Sequence, residues 1–118
     1  EKPPPYVPEP FDDQVRVVMD HVKAVVEAAG SNMDCLLTVI VWLKDQTKAE
    51  SFDRIYRTYF STTATLPART RMQAGRTPMD CELEVEAIGY IPGEAWGAPV
   101  RTKRAAKARK RVAKKRKR

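Results

Sequence analysis

Histidine is almost absent. His21 is the only one in 118 residues, which excludes any site needing two imidazoles; with two cysteines and no Cys/His cluster, a structural zinc centre is excluded as well. Cys35 and Cys81 stand in apolar, strand-like surroundings without CxxC spacing, the usage of small core residues in a reducing compartment. Long apolar runs are lacking too. The longest, Cys35 to Leu43, falls well short of the roughly 18 to 20 residues of a membrane-spanning helix, so no membrane partner is expected. The chain opens on Glu1 with no cationic, apolar signal segment behind it, as expected of a removed leader or a start inside a longer chain.

Acid is missing from the last eighteen residues. Residues 1–100 carry 10 Lys/Arg against all 15 Asp/Glu, net −5, whereas residues 101–118 carry 12 Lys/Arg and no acid, net +12. The length has room for one domain and a tail. Five prolines in EKPPPYVPEP predict an extended arm over residues 1–11. Asp12 and Asp13 offer an N-cap, and Val15, Val18, Met19, Val22, Val25, Val26 and Ala29 recur at the spacing of one buried helical stripe that Gly30 closes. CLLTVIVWL, β-branched and nearly continuously apolar, reads as a central strand covered on both faces. A second helix follows from about Ser51 with Phe52, Ile55, Tyr56, Tyr59 and Phe60 on one stripe. From Ala68 the chain alternates, with Arg69 and Arg71 opposite Thr70 and Met72, and CELEVEAIGY alternates again, with Leu83, Val85 and Ala87 opposite Glu82, Glu84 and Glu86. The order is helix, strand, helix, strand, strand. Three strands are thin cover for two helices, so something else must complete the layer. Residues 92–100, with Pro92, Gly93, Gly97 and Pro99, read as a linker in which Trp96 is a candidate anchor.

The succession EAAGSNMDCLLTVIVWLKD, FDRIYRTYF, LPARTRM and ELEVEAIGY resembles the YjgF/Rid family of reactive-intermediate (enamine/imine) deaminases, over roughly residues 12–91. The resemblance implies an α+β, chorismate-mutase-like sheet backed by two helices, assembling as a trimer of Rid-like subunits with clefts between them. It also implies that Arg69, in the PAR triplet, binds a substrate carboxylate and that Glu86 positions the hydrolytic water, with no cofactor. Two departures stand out. Arg71 occupies a position where the family usually has a small residue or cysteine, and the family's N-terminal hairpin, with its GPYSQ-like and SGQ-like segments, has no counterpart, since Tyr6 sits in PPPYVPE. The expected domain is therefore N-terminally truncated and inactive. Arg69 and Glu86 then read as a cross-strand ion pair on one polar face, with Arg71 and Glu84 extending the ladder.

Function falls on the tail in this reading. Arg101, Lys103, Arg104, Lys107, Arg109, Lys110, Arg111, Lys114, Lys115, Arg116, Lys117 and Arg118 repel one another unless polyanions neutralise them, and phosphate contacts release counterions. The interspersed alanines allow helix formation on RNA. The expectation is a non-enzymatic structural component of a large ribonucleoprotein, an organellar (mitochondrial) ribosome fitting best, with rRNA contacted by this tail. The alternative is an imine/enamine deaminase converting 2-imino acids to 2-oxo acids. A third reading takes KARKRVAKKRKR as a nuclear localisation or DNA-binding segment, which leaves nucleus or cytoplasm open.

Overall fold

The computed structural model describes residues 7–93. Most of the proline-rich arm with Tyr6, the linker beyond Gly93 with Trp96, and the basic segment 101–118 lie outside the described residues. The first helix, α1, runs Phe11–Ala28. Its N-cap position is Pro10 rather than Asp12 or Asp13, because the proline ends an extended segment and its carbonyl already accepts from the Asp13 and Gln14 amides. The two aspartates fall in the first turn, where the unpaired amides of the helix end favour negative charge. At the other end the Gly30 amide donates to the Glu27 carbonyl and the Ser31 amide to the Val26 carbonyl, both at 3.0 Å. That double closure needs a residue of positive φ, and Gly30 sits at φ 90°. Val15 and Met19 are fully buried and Val18, Val22 and Val26 pack against them, while Val25 turns outward at 70 % exposure.

β1 (Leu36–Leu43) is the middle strand. After it come α2 (Ala49–Tyr56), continued by a 3-10 turn over Arg57–Tyr59, then β2 (Ala68–Gln73) and β3 (Leu83–Gly89). β2 runs parallel to β1, which requires a crossover, and α2 supplies it. β3 runs antiparallel on the other side, giving the order β2-β1-β3. The core lies on one face of this sheet, where Val39, Val41, Leu43 and Leu83 meet Val15 and Met19 of α1 and Phe52, Ile55 and Tyr56 of α2.

The opposite face carries no helix among the described residues. Thr38, Ile40 and Trp42 of β1 are only half-buried there, and they share the face with Thr70 and Met72 of β2 and Glu84, Glu86 and Ile88 of β3. The reading of β1 as covered on both faces is thereby corrected. Every second residue of a strand points one way, and the apolar run simply continues onto the uncovered side through Ile40 and Trp42.

Polar latches fix the layers. Buried Gln14 donates from Nε2 to the Pro8 carbonyl at 2.6 Å and accepts from the Glu82 amide at 2.9 Å, tying α1 to the start of β3. Asp12 accepts from Ser51 Oγ at 2.5 Å and from Arg54 at 2.8 Å, tying α1 to α2. Asp34, in the 3-10 turn before β1, accepts from the Ser61 hydroxyl and amide and from Thr65 Oγ1, which holds the segment after α2.

Two outcomes are expected. At Gly89 a Cβ would stand 2.8 Å from the Cys35 carbonyl oxygen and 3.0 Å from Leu36 Cδ2, so Gly89→Ala must displace strand backbone. It should cost about 1 to 3 kcal/mol, read as a lower urea midpoint at unchanged m-value. The Ser61 hydroxyl, then its amide, then Thr65 hold the Asp34 carboxyl below the ordinary value of 3.8. A depressed carboxyl contributes stability that is complete above its unfolded pKa and lost as pH falls through the folded one. Asp34→Asn should therefore melt below the wild type at pH 7, with the gap closing once pH drops below 3.8; a gap constant down to pH 2 would contradict the assignment.

Candidate functional site

Arg69 and Arg71 are two residues apart on β2 and therefore share a face, the one on which Val39 and Val41 face the helices. Both reach the same carboxylate. Arg69 Nη1 and Arg71 Nη1 each stand 2.8 Å from Oδ1 of Asp53 on α2. Arg71 is held from a second side, its Nε donating to Gln46 Oε1 at 3.3 Å. The Arg69 guanidinium also lies over the Tyr56 ring, 4.9 Å from its centroid, and 5.8 Å from that of Phe52. An aromatic face and a carboxylate thus fix one planar cation from two directions, with the side chain 23 % exposed. The helix stripe that buries Phe52 and Tyr56 is what brings Asp53, its neighbour, to the edge facing β2.

Tyr56 is 2 % exposed, and its hydroxyl is without a hydrogen-bond partner among the described residues. Burial pushes this phenol up to about 12, opposed by the Arg69 charge and reinforced by Asp53. It stays neutral and serves as a support rather than an anion. Beside the cluster opens a cleft of about 490 Å³ lined by Ala49, Glu50, Asp53, Arg54, Arg57 and Arg71. Chemically the assembly presents guanidinium N–H groups to an anion, for which the planar fork of arginine suits a carboxylate.

Glu86 is elsewhere. It pairs with Ile40 of β1, and Thr70 stands opposite Ile40 on the other side, so Glu86 lies on the uncovered face. Arg69 pairs with Val39 on the helix face. The two residues sit on opposite faces with β1 between their strands, which corrects the reading of a cross-strand ion pair and of an Arg71–Glu84 ladder. The reason is topological: β3 follows β2 in sequence but joins the far edge of β1. The partner of Arg69 and Arg71 is Asp53, which sequence reasoning did not single out. Its one signal was an acid placed next to Phe52 and three residues before Tyr56, at the margin of an aromatic stripe.

His21 is exposed on α1, away from the cluster, Cys35 is buried and Cys81 half-buried. Among the described residues no group of three His, Cys, Asp or Glu side chains could hold a metal ion. The twelve basic residues from Arg101 to Arg118 lie outside the described residues, so no geometry attaches to them.

The family model described as Endoribonuclease L-PSP matches residues 4–91. The RutC family protein PH0854 of Pyrococcus horikoshii is 37 % identical over 78 residues, covering 66 % of this chain and 60 % of the relative. The 2-iminobutanoate/2-iminopropanoate deaminase of Escherichia coli K12 is 36 % identical over 83 residues, covering 70 % of this chain and 65 % of the relative. The crystal structure of E. coli TdcF with bound serine superposes with a TM-score of 0.67 at 32 % identity, over 71 % of this chain and 67 % of that one. The chain thus spans 60 to 65 % of the length of these two curated relatives.

These findings overturn two expectations. The expected degenerate, non-enzymatic body is corrected, because a relative 36 % identical over the 83 aligned residues carries a deaminase name and the PAR arginine stands in a well-held place. The expectation of a mitochondrial ribosomal protein is corrected likewise, since these relatives bear RutC-family and deaminase names. Eighteen cationic residues do not decide what the folded body beside them does. The sheet backed by two helices is the α+β, chorismate-mutase-like fold of these relatives, and the chain belongs to the Endoribonuclease L-PSP family, the YjgF/Rid proteins.

Proposed function

We propose that the protein hydrolyses small 2-imino acids to 2-oxo acids and ammonia. Water adds to the imine carbon, the carbon–nitrogen bond breaks, a carbonyl forms and nitrogen leaves as ammonia. Arg69 binds the substrate carboxylate and Glu86 orients and deprotonates the attacking water. The observation that carries this reading is the fixed Arg69 guanidinium, stacked on Tyr56 and braced by Asp53. Pre-organisation of this kind holds a substrate's acid group in one place, so its imine carbon meets the water in one geometry. The 36 % identity to a protein named 2-iminobutanoate/2-iminopropanoate deaminase supports the substrate class.

Since Arg69 and Glu86 occupy opposite faces of one sheet, a reaction that uses both needs a cleft formed between copies. Rid-like subunits assembled as a trimer meet that need. Support comes from the uncovered face, where Ile40, Trp42, Met72 and Ile88 form an apolar row, Ile88 being 54 % exposed. Rows of this kind mark association surfaces.

Arg69→Ala should lower kcat/KM for 2-iminobutanoate by roughly 10²- to 10³-fold, because one charge-assisted bidentate contact is lost in the transition state. Glu86→Gln should lower kcat by roughly 10²-fold or more and leave KM within about threefold. Ammonia release from an imino acid generated in situ measures both, and an Arg69→Ala variant of full activity would reject the reading.

The segment 101–118 supports a separate proposal, attachment to a polyanion by its twelve cations. Retention on a phosphate-bearing matrix should fall steeply between about 50 and 200 mM salt, and a protein lacking residues 101–118 should lose that salt dependence while keeping deaminase turnover.

A further inference from the structure

Asp53 creates a difficulty that Arg71 resolves. A carboxylate 2.8 Å from Arg69 neutralises the very cation that is to receive a substrate anion. With Arg69 alone, the pair would be neutral, and an approaching carboxylate would meet the Asp53 charge at close range in a partly buried place, where screening by water is reduced. Arg71 changes the sign. Its Nη1 stands at the same distance from the same Oδ1, so two guanidinia share one carboxylate and the cluster keeps a net charge of +1, that of an unpaired arginine. Arg71 cannot drift to another partner freely, because its Nε donates to Gln46 Oε1 and the Gln46 backbone amide in turn donates to Gln73 Oε1 at 3.3 Å. Each arginine has five N–H groups, and Arg69 meets Asp53 as an ion pair through Nη1 alone, leaving donors for a forked carboxylate.

We propose that Arg71 is a positioning residue: it takes up the charge of Asp53 so that Asp53 can brace Arg69 without cancelling its affinity for an anionic substrate. The inference rests on the assignment of Arg69 as the carboxylate ligand. It explains why a bulky cation can stand two residues after the PAR arginine without abolishing the site, since the acid it answers lies on α2.

The test is a two-by-two cycle of Arg71→Ala and Asp53→Asn, read as KM and kcat for 2-iminobutanoate and, independently of turnover, as the Kd of 2-oxobutanoate by NMR titration. Arg71→Ala should raise KM and Kd at least about tenfold, with kcat within about threefold. Adding Asp53→Asn should return both constants to within about threefold of the wild type, a rescue that a merely structural role of Arg71 does not produce. Asp53→Asn alone removes the brace of Arg69 and the charge that opposes the anion together, and should weaken Kd by much less than Arg71→Ala does. Unchanged Kd in Arg71→Ala, no rescue by Asp53→Asn, or a tenfold weakening by Asp53→Asn alone overturns the proposal. So does a loss confined to imino acids with a second carboxylate, which would make Arg71 a direct substrate ligand. If Arg71→Ala does not fold, the Asp53→Asn result and an Arg71→Lys variant, expected to keep the wild-type Kd, still decide. Wild-type protein that binds 2-oxobutanoate but turns over no imino acid sinks the deaminase reading while the cycle in Kd still judges this one; if it does neither, both fall.

Discussion

The structure depends on a sheet that, among the described residues, is packed on one side only. Val39, Val41 and Leu43 face two helices, and the period of two in β1 then decides the destination of every other side chain in register with them. Arg69 and Arg71 align with Val39 and Val41 and so turn toward α2 and Asp53. Glu84 and Glu86 align with Trp42 and Ile40 and turn away. The distribution of charge between the two faces is thus a consequence of the hydrophobic register. A slip of one residue would exchange the faces and bury two glutamates against the helices, a cost that specifies the register strongly.

The same one-sidedness explains how a small body can carry a site without enclosing it. α2 contributes aromatic rings to the core and a carboxylate to its margin within a few residues, so Phe52 and Tyr56 are at once core and platform. An arginine laid on such a platform loses little additional freedom when an anion arrives. The neutral, buried Tyr56 phenol belongs to this arrangement, because a charged group beneath Arg69 would compete with any ligand above it.

Much of the fold was legible in the residues. The valine stripe of α1 apart from exposed Val25, the glycine that closes it, the central position of β1 and the alternation in β2 and β3 follow from periodicity and appear as read. Periodicity does not say on which edge a strand joins. An Arg69–Glu86 ion pair requires β3 to join β2, its neighbour in sequence; the antiparallel addition of β3 to the far side of β1 removes it. Nor does an apolar run say what covers it, and the described residues build no core around Ile40 and Trp42 on the open face. Asp53 was invisible for another reason: its meaning lies in a tertiary contact with residues 69 and 71, and nothing in its own neighbourhood announces that.

One feature of the sheet reaches beyond the single chain. Its two outer strands are unlike, Arg69 and Arg71 of β2 turning to the helix side and Glu84 and Glu86 of β3 to the open side, and neither outer edge is paired among the described residues. Contact between such unlike edges is head-to-tail, and a head-to-tail contact either closes into a ring or propagates as a fibre. For any such contact, the rotation relating successive copies would choose between these ends.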